Sequence, residues 1–195
     1  MTNKDKELIR LYGEFLVRFE LVCSRLRFSL LNLLYPKYTN TEKNICEIMT
    51  EGLTADPLRK KFVALIIERF SKTSEIYKVA DRTSKIFLNL IDLRNSFAHG
   101  TAFIGEHDFI QETKKGKLVI RHPKIKADGL DLNFKSFDSK LLKSLIQTFE
   151  KLEITISRIT VLIKLAHYNE SGKEKFYEAI YKDLDSIDPK TMVAK

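Results

Sequence analysis

The segment Leu93-Arg94-Asn95-Ser96-Phe97-Ala98-His99-Gly100 sets an arginine, an amide and a histidine within six residues of one another. Arginine grips phosphate oxygens with a planar fork of N–H donors. Histidine is the side chain whose ordinary pKa lies nearest neutrality, so it can take up a proton and return it. An amide can bond one imidazole nitrogen and leave the other free. This set of groups points to phosphodiester chemistry that needs no metal ion.

The groups must be positioned by a helix. At about 100° per residue, Asn95 and His99 lie one turn apart on one face. Arg94 stands about 140° from His99 around the same axis. Leu90, Leu93 and Phe97 form the apolar seam of that helix. Asp92, Asn95 and His99 recur on another side, with Arg94 at the edge of the seam. The three polar groups are therefore expected to face solvent or a second subunit rather than the core. Gly100 suits a helix end, and His99 falls in the last turn, where the partial negative charge favours imidazolium.

The remaining elements follow from hydrophobic spacing. Leu8, Tyr12, Phe15, Phe19, Val22, Leu26, Leu30 and Leu33 step by threes and fours and predict a first helix from about Asp5 to Leu34, ended by Pro36. Shorter helices are expected over about Thr41 to Thr50 and from Asp56, read as an N-cap before Pro57, to Phe70. The helix carrying the polar groups spans about Ser74 to His99. Its seam is Val79, Thr83, Ile86, Leu90, Leu93 and Phe97. The last long helix begins near Asp138, with Leu142, Leu145, Phe149, Leu152, Ile156, Ile159, Ile163 and Ala166 on one stripe. A final helix covers about Glu174 to Leu184. Three long stripes need each other for burial, so the expected fold is all-α, an antiparallel helical bundle. One domain is expected over 1–195, with 185–195 as a loose tail.

Residues 101–137 break the helical pattern. Phe109 to Thr113 and Lys117 to Arg121 read as strands, with Lys114-Lys115-Gly116 as the turn of a β-hairpin. Leu130 to Phe134 alternates like a third short strand. Lys114, Lys115, Lys117, Arg121, Lys124 and Lys126 make this insertion strongly basic, without a carboxylate among them. Such a cluster either solubilises a strand edge or binds RNA phosphates.

Composition excludes several classes. The chain has 195 residues, 44% hydrophobic and 31% charged, with a net charge of +8 that favours a polyanionic partner. No apolar run approaches the roughly 20 residues of a membrane span, so no membrane partner is expected. The N-terminal residues lack the apolar core of a signal peptide. Two cysteines, Cys23 and Cys46, make neither a disulfide framework nor a metal knuckle, and a cytoplasmic location is expected. The seven glycines form no phosphate-binding loop. His107, His122 and His167 share no metal-ligand spacing, and no cofactor is expected.

Arg94-Asn95-x-x-x-His99, late in a helical chain of this size, resembles the R-x4-6-H motif of the HEPN superfamily. Asn95 occupies the place after the arginine where that family usually has a polar residue. Ile91-Asp92-Leu93 before the motif and Ala98-His99-Gly100 after it are similar to family members, and the helical layout extends the likeness over roughly residues 5–170. The resemblance implies a helical bundle that forms a homodimer and acts as a metal-independent endoribonuclease, often as a toxin or an abortive-infection effector in prokaryotic antiviral defence. It also implies an antitoxin or other regulatory protein as a partner. Thr101 stands where some family toxins carry a tyrosine modified by a nucleotidyltransferase antitoxin. Some members are non-catalytic modules that bind RNA or a protein partner, and this is the alternative function. On the catalytic reading His99 serves as general base or acid, Arg94 binds the phosphate, and Asn95 orients His99 or holds substrate. Attack by the 2′-hydroxyl would restrict cutting to RNA.

Overall fold

The computed structural model describes residues 2–104, 117–126, 129–168 and 171–187. In chain order these form α1 (Asn3–Leu34), α2 (Asn40–Thr50), α3 (Ala55–Phe70), α4 (Glu75–His99), β1 (Thr101–Ile104), β2 (Leu118–Lys126), β3 (Gly129–Phe137), α5 (Ser139–His167) and α6 (Lys173–Asp185). A helical bundle with a small three-stranded antiparallel sheet inserted between α4 and α5 is the fold class the periodicities predict. Among the described residues no helix is long and apolar enough to cross a membrane.

The chain divides into two compact units. The first holds residues 2–19, 90–104, 117–126 and 129–148, and therefore the end of α4 with His99. Its centre is aromatic. Phe97 is 2% exposed, with ring centroids 4.6 Å from Phe15, 4.5 Å from Phe137 and 5.3 Å from Tyr12. Leu8, Leu93, Leu118, Ile120 and Leu142 complete this core. Tyr12 and Phe15 meet Phe97 while Phe19 meets Arg94, so α1 and α4 run in opposite directions. Asp138 caps α5 by accepting from the Leu141 N–H at 2.8 Å.

The sheet of this unit has the order β1-β2-β3. β2 pairs with β1 from Leu118↔Ile104 to Arg121↔Thr101, and with β3 from Leu118↔Phe137 to Lys126↔Gly129. Strand alternation puts Leu118, Ile120 and Phe137 on one face, all fully buried. Val119, Arg121, Phe103 and Phe134 share the other face and stay partly exposed. The hairpin therefore differs from the one expected. β2 continues through Pro123 to Lys126, and its described hairpin partner is β3. Beyond Arg121, among the described residues, β2 has β3 alone as a neighbour, and the open side tolerates a proline without an N–H. Phe109 to Thr113 and the turn at Lys114-Lys115-Gly116 lie outside the described residues.

The second unit holds residues 20–89, 149–168 and 171–187. Val22, Leu30, Phe62, Val79, Phe149 and Ile156 are buried at its centre. The Ser29 and Thr160 hydroxyls bond each other at 2.6 Å inside it, and Arg25 bonds Glu153. The order of these contacts makes α1 and α5 run in the same direction. Cys23 and Cys46 are buried and are not joined in a disulfide.

Local signals set the helix starts. Thr39 and Glu42 form a capping box at α2. The Ser74 hydroxyl accepts from the Tyr77 N–H at 3.2 Å and caps α4. At α3 the cap position is Thr54, and Asp56 is the second helical residue. The Asp56 carboxylate is engaged by Arg59 and Lys60 instead of the helix end. Pro57 then sits at the third helical position, still within the turn whose N–H groups have no helical partner. Gly172 precedes α6 at φ +92°, a conformation that favours glycine. At the other end of α6 Asp185 pairs with Arg82 at 2.7 Å and Ile187 is buried, so the start of the expected tail is packed. Residues 188–195 lie outside the described residues.

Candidate active site at the end of α4

α4 stops at His99 because the chain turns directly into β1 at Thr101. Gly100 closes the last turn with an N–H to the Ser96 carbonyl at 3.1 Å, without a left-handed φ. The Tyr12 hydroxyl donates to the Phe97 carbonyl at 3.4 Å, which satisfies one of the carbonyls left over at the helix end. The site is thus built on a terminus held from both α1 and the sheet.

The side chains divide as the helix angles require. Leu90, Leu93 and Phe97 are buried, at 0%, 3% and 2% exposure. Asp92, Asn95 and His99 are exposed. Asp92, Asn95 and Ser96 all fall within about 60° of His99 around the axis. Arg94 is half-buried, with its guanidinium carbon 5.4 Å from the centre of the Phe19 ring. One chain therefore groups Asn95 with His99. It directs Arg94 toward α1, about 140° around the helix and about 7.5 Å along it from His99.

One cation at this face escaped the sequence reading. Lys135 of β3 donates from Nζ to the Ser96 hydroxyl at 2.8 Å. Ser96 in turn donates to the Asp92 carbonyl at 3.0 Å. Lys135 lies opposite Ile120 in the sheet register and two residues before Phe137, so it stands on the buried face of the sheet at the point where that face meets α4. The residue string carries no signal for this: the spacing of Leu130, Leu132 and Phe134 suggests a polar side for Lys135, and the pairing with Ile120 turns it inward. The expected strand stopped at Phe134, one residue short.

The strand register places part of the basic hairpin. Arg121 is paired by register with Thr101, two residues after His99, yet its side chain lies on the outer face with its guanidinium 5.2 Å from the Phe103 ring centre. Lys117 is half-buried just before β2. Lys124 and Lys126 occupy strand positions opposite Asp131 and Gly129. Lys114 and Lys115 lie outside the described residues.

Chemically, the end of α4 offers an exposed imidazole beside an exposed amide, a lysine ammonium held at Ser96, and a stacked guanidinium on a neighbouring side of the helix. No protein-family model matches the chain, and neither a curated protein nor a solved structure does.

Proposed function

We propose that the chain is a metal-independent endoribonuclease of the HEPN type. His99 moves protons at the ribose 2′-hydroxyl and the leaving 5′-oxygen, Arg94 binds the scissile phosphate, and Asn95 orients the imidazole or holds substrate. Lys135 adds charge stabilisation from the sheet. The observation that carries this reading is the exposed Asn95–His99 pair at an anchored helix end, with the Lys135 ammonium fixed to Ser96 in the same stretch.

The separation of Arg94 from His99 in one chain favours a composite site. A two-fold axis beside the exposed face of α4 would set a second Arg94 and His99 opposite the first pair, and isologous dimers are the commonest oligomers. Basic residues of the 101–137 insertion, Lys114, Lys115, Lys117, Arg121, Lys124 and Lys126, would hold the RNA strand. Toxin or abortive-infection activity in the cytoplasm, with an antitoxin or other protein holding it in check, fits an enzyme that cuts RNA without a cofactor. The same separation also favours the second reading, a non-catalytic module that binds RNA or a protein partner and keeps the polar face for docking.

The deciding experiment incubates purified protein with a mixed RNA, and with DNA of the same sequence, in excess EDTA. RNA should be cut to fragments with cyclic-phosphate or 3′-phosphate ends and DNA should survive. Loss of cutting on chelation, restored by a divalent ion, rejects the mechanism. Binding without cutting selects the non-catalytic module.

A further inference from the structure

Within the second unit, aromatic rings and lysines close a circuit at the C-terminal ends of α1 and α5. The Phe28 ring of α1 meets the Tyr38 ring edge-on, with centroids 6.5 Å apart. Lys37, the neighbour of Tyr38, holds Nζ 5.6 Å from the centre of the Tyr168 ring. The Tyr168 N–H donates to the Lys164 carbonyl at 3.0 Å and so continues the last turn of α5. Lys164 returns to α1, with Nζ 5.8 Å from the centre of the Phe28 ring.

These five residues therefore form one surface patch, and core packing does not account for it. Phe28 is 42% exposed and stands off the buried stripe of Leu26, Leu30 and Leu33. Tyr168 is 41% exposed. Among the described residues neither Lys37 nor Lys164 has a carboxylate within ion-pairing distance, whereas Lys60, Lys78 and Lys85 of the same unit each have one. The charge of the two ammoniums is thus not cancelled by a neighbour, in a chain of net charge +8.

Exposed rings beside uncancelled ammoniums match a single nucleic-acid strand. Its unpaired bases stack on aromatic rings, and its phosphates attract the lysines. An exposed contact between a cation and a ring is weaker than a base stack. An incoming base therefore displaces each ammonium from its ring, and the flexible lysine stem leaves the charge free to meet a phosphate. An acidic peptide engages the lysines without needing the rings. A membrane anchor sits about 5–10 Å into the boundary of the acyl chains, and rings more than half covered by the fold do not reach that depth.

We propose that this patch binds single-stranded nucleic acid, with bases stacked on Phe28 and Tyr168 and phosphates against Lys37 and Lys164. Stacking is indifferent to the 2′-hydroxyl, so DNA and RNA strands both fit. The proposal goes beyond the cleavage reading, because it requires binding alone and no step at α4.

Fluorescence anisotropy of a short labelled oligothymidylate, titrated with the full chain, tests it. The probe is DNA, so binding is read on an uncut strand whether or not α4 cuts RNA. An abasic strand of the same length keeps the phosphates and should bind about tenfold more weakly. Phe28→Leu and Tyr168→Leu each remove a ring and keep an apolar side chain. Each should weaken binding of the oligothymidylate about tenfold, with a thermal melt close to that of the natural chain. The double variant Lys37→Gln, Lys164→Gln should flatten the dependence of log K on log salt by about 0.7 for each lost phosphate contact. Absence of oligothymidylate binding overturns the proposal. So does equal binding of the abasic strand, unchanged binding by either folded ring variant, or an unchanged salt slope in the lysine variant. Tighter binding of polyglutamate, or of vesicles of phosphatidylserine and phosphatidylcholine, than of the oligothymidylate overturns it in favour of an acidic protein or a membrane.

Discussion

Lys135 on β3 and Ser96 on α4 are joined by a 2.8 Å hydrogen bond across 39 residues of sequence. The bond sets a lysine ammonium beside the turn that carries Asn95 and His99. Phe137, two residues further along the same face of β3, packs on Phe97 with centroids 4.5 Å apart. The sheet thereby supplies both a hydrophobic clamp and a charge to the end of α4.

If that charge stabilises the pentavalent phosphate, Lys135→Met should slow RNA cleavage by about 10²-fold, the scale of one lost stabilising donor. The change leaves the core alone, so stability should move by only about 0.5 kcal/mol. Single-turnover rates and a thermal melt check both parts. A full cleavage rate in Lys135→Met would confine the lysine to a structural bond.

Phe97 carries the packing on which the site rests. It is 2% exposed and touches the rings of Tyr12, Phe15 and Phe137. Phe97→Ala should cost about 3–5 kcal/mol in urea unfolding, through lost transfer energy and the void left behind. His99→Ala, at an exposed position, should unfold at nearly the same urea concentration as the natural chain.

The Tyr181 hydroxyl donates to the Glu75 carboxylate, a pair in the second unit. Burial, helped by this bond, pushes the Tyr181 pKa up to about 12 from an ordinary 10.0. The folded state therefore holds its proton more tightly than the unfolded chain does. The associated stability is complete below pH 10 and is lost between about pH 10 and pH 12. The same hydroxyl is the main cause that lowers the Glu75 pKa, so that group's contribution is lost as pH falls through the acid range. Melting temperature against pH should fall less steeply at both ends for Tyr181→Phe than for the natural chain. Coincident slopes would remove the pair from the stability account.

Much of this was legible in the sequence where hydrophobic period and length coincide. The stripes of α1, α4 and α5 mark buried positions, although Ile86 is half-exposed and Phe87, one residue on, is buried in its place. The outward placement of Asn95 and His99 follows from helix angle alone. What could not be read depends on register between distant segments. A strand's faces are fixed by its partners, so the inward position of Lys135 and the outward position of Arg121 required the pairings of β2 with both neighbours. Asp56 was misread as a cap because its spacing suits both a cap and an ion pair with Arg59 and Lys60.

The composite site is tested most directly by mixing two inactive chains. Arg94→Ala and His99→Ala proteins are purified separately, combined in equal amounts and allowed to exchange, with heterodimers counted by native mass measurement. Each variant alone should fail to cut RNA. In the mixture, half of the dimers are heterodimers at random exchange, and each holds one site with both an intact Arg94 and an intact His99. Cleavage should return to about one quarter of the natural level. Heterodimers that form and remain inactive, or single variants that still cut, would contradict a site shared between two chains.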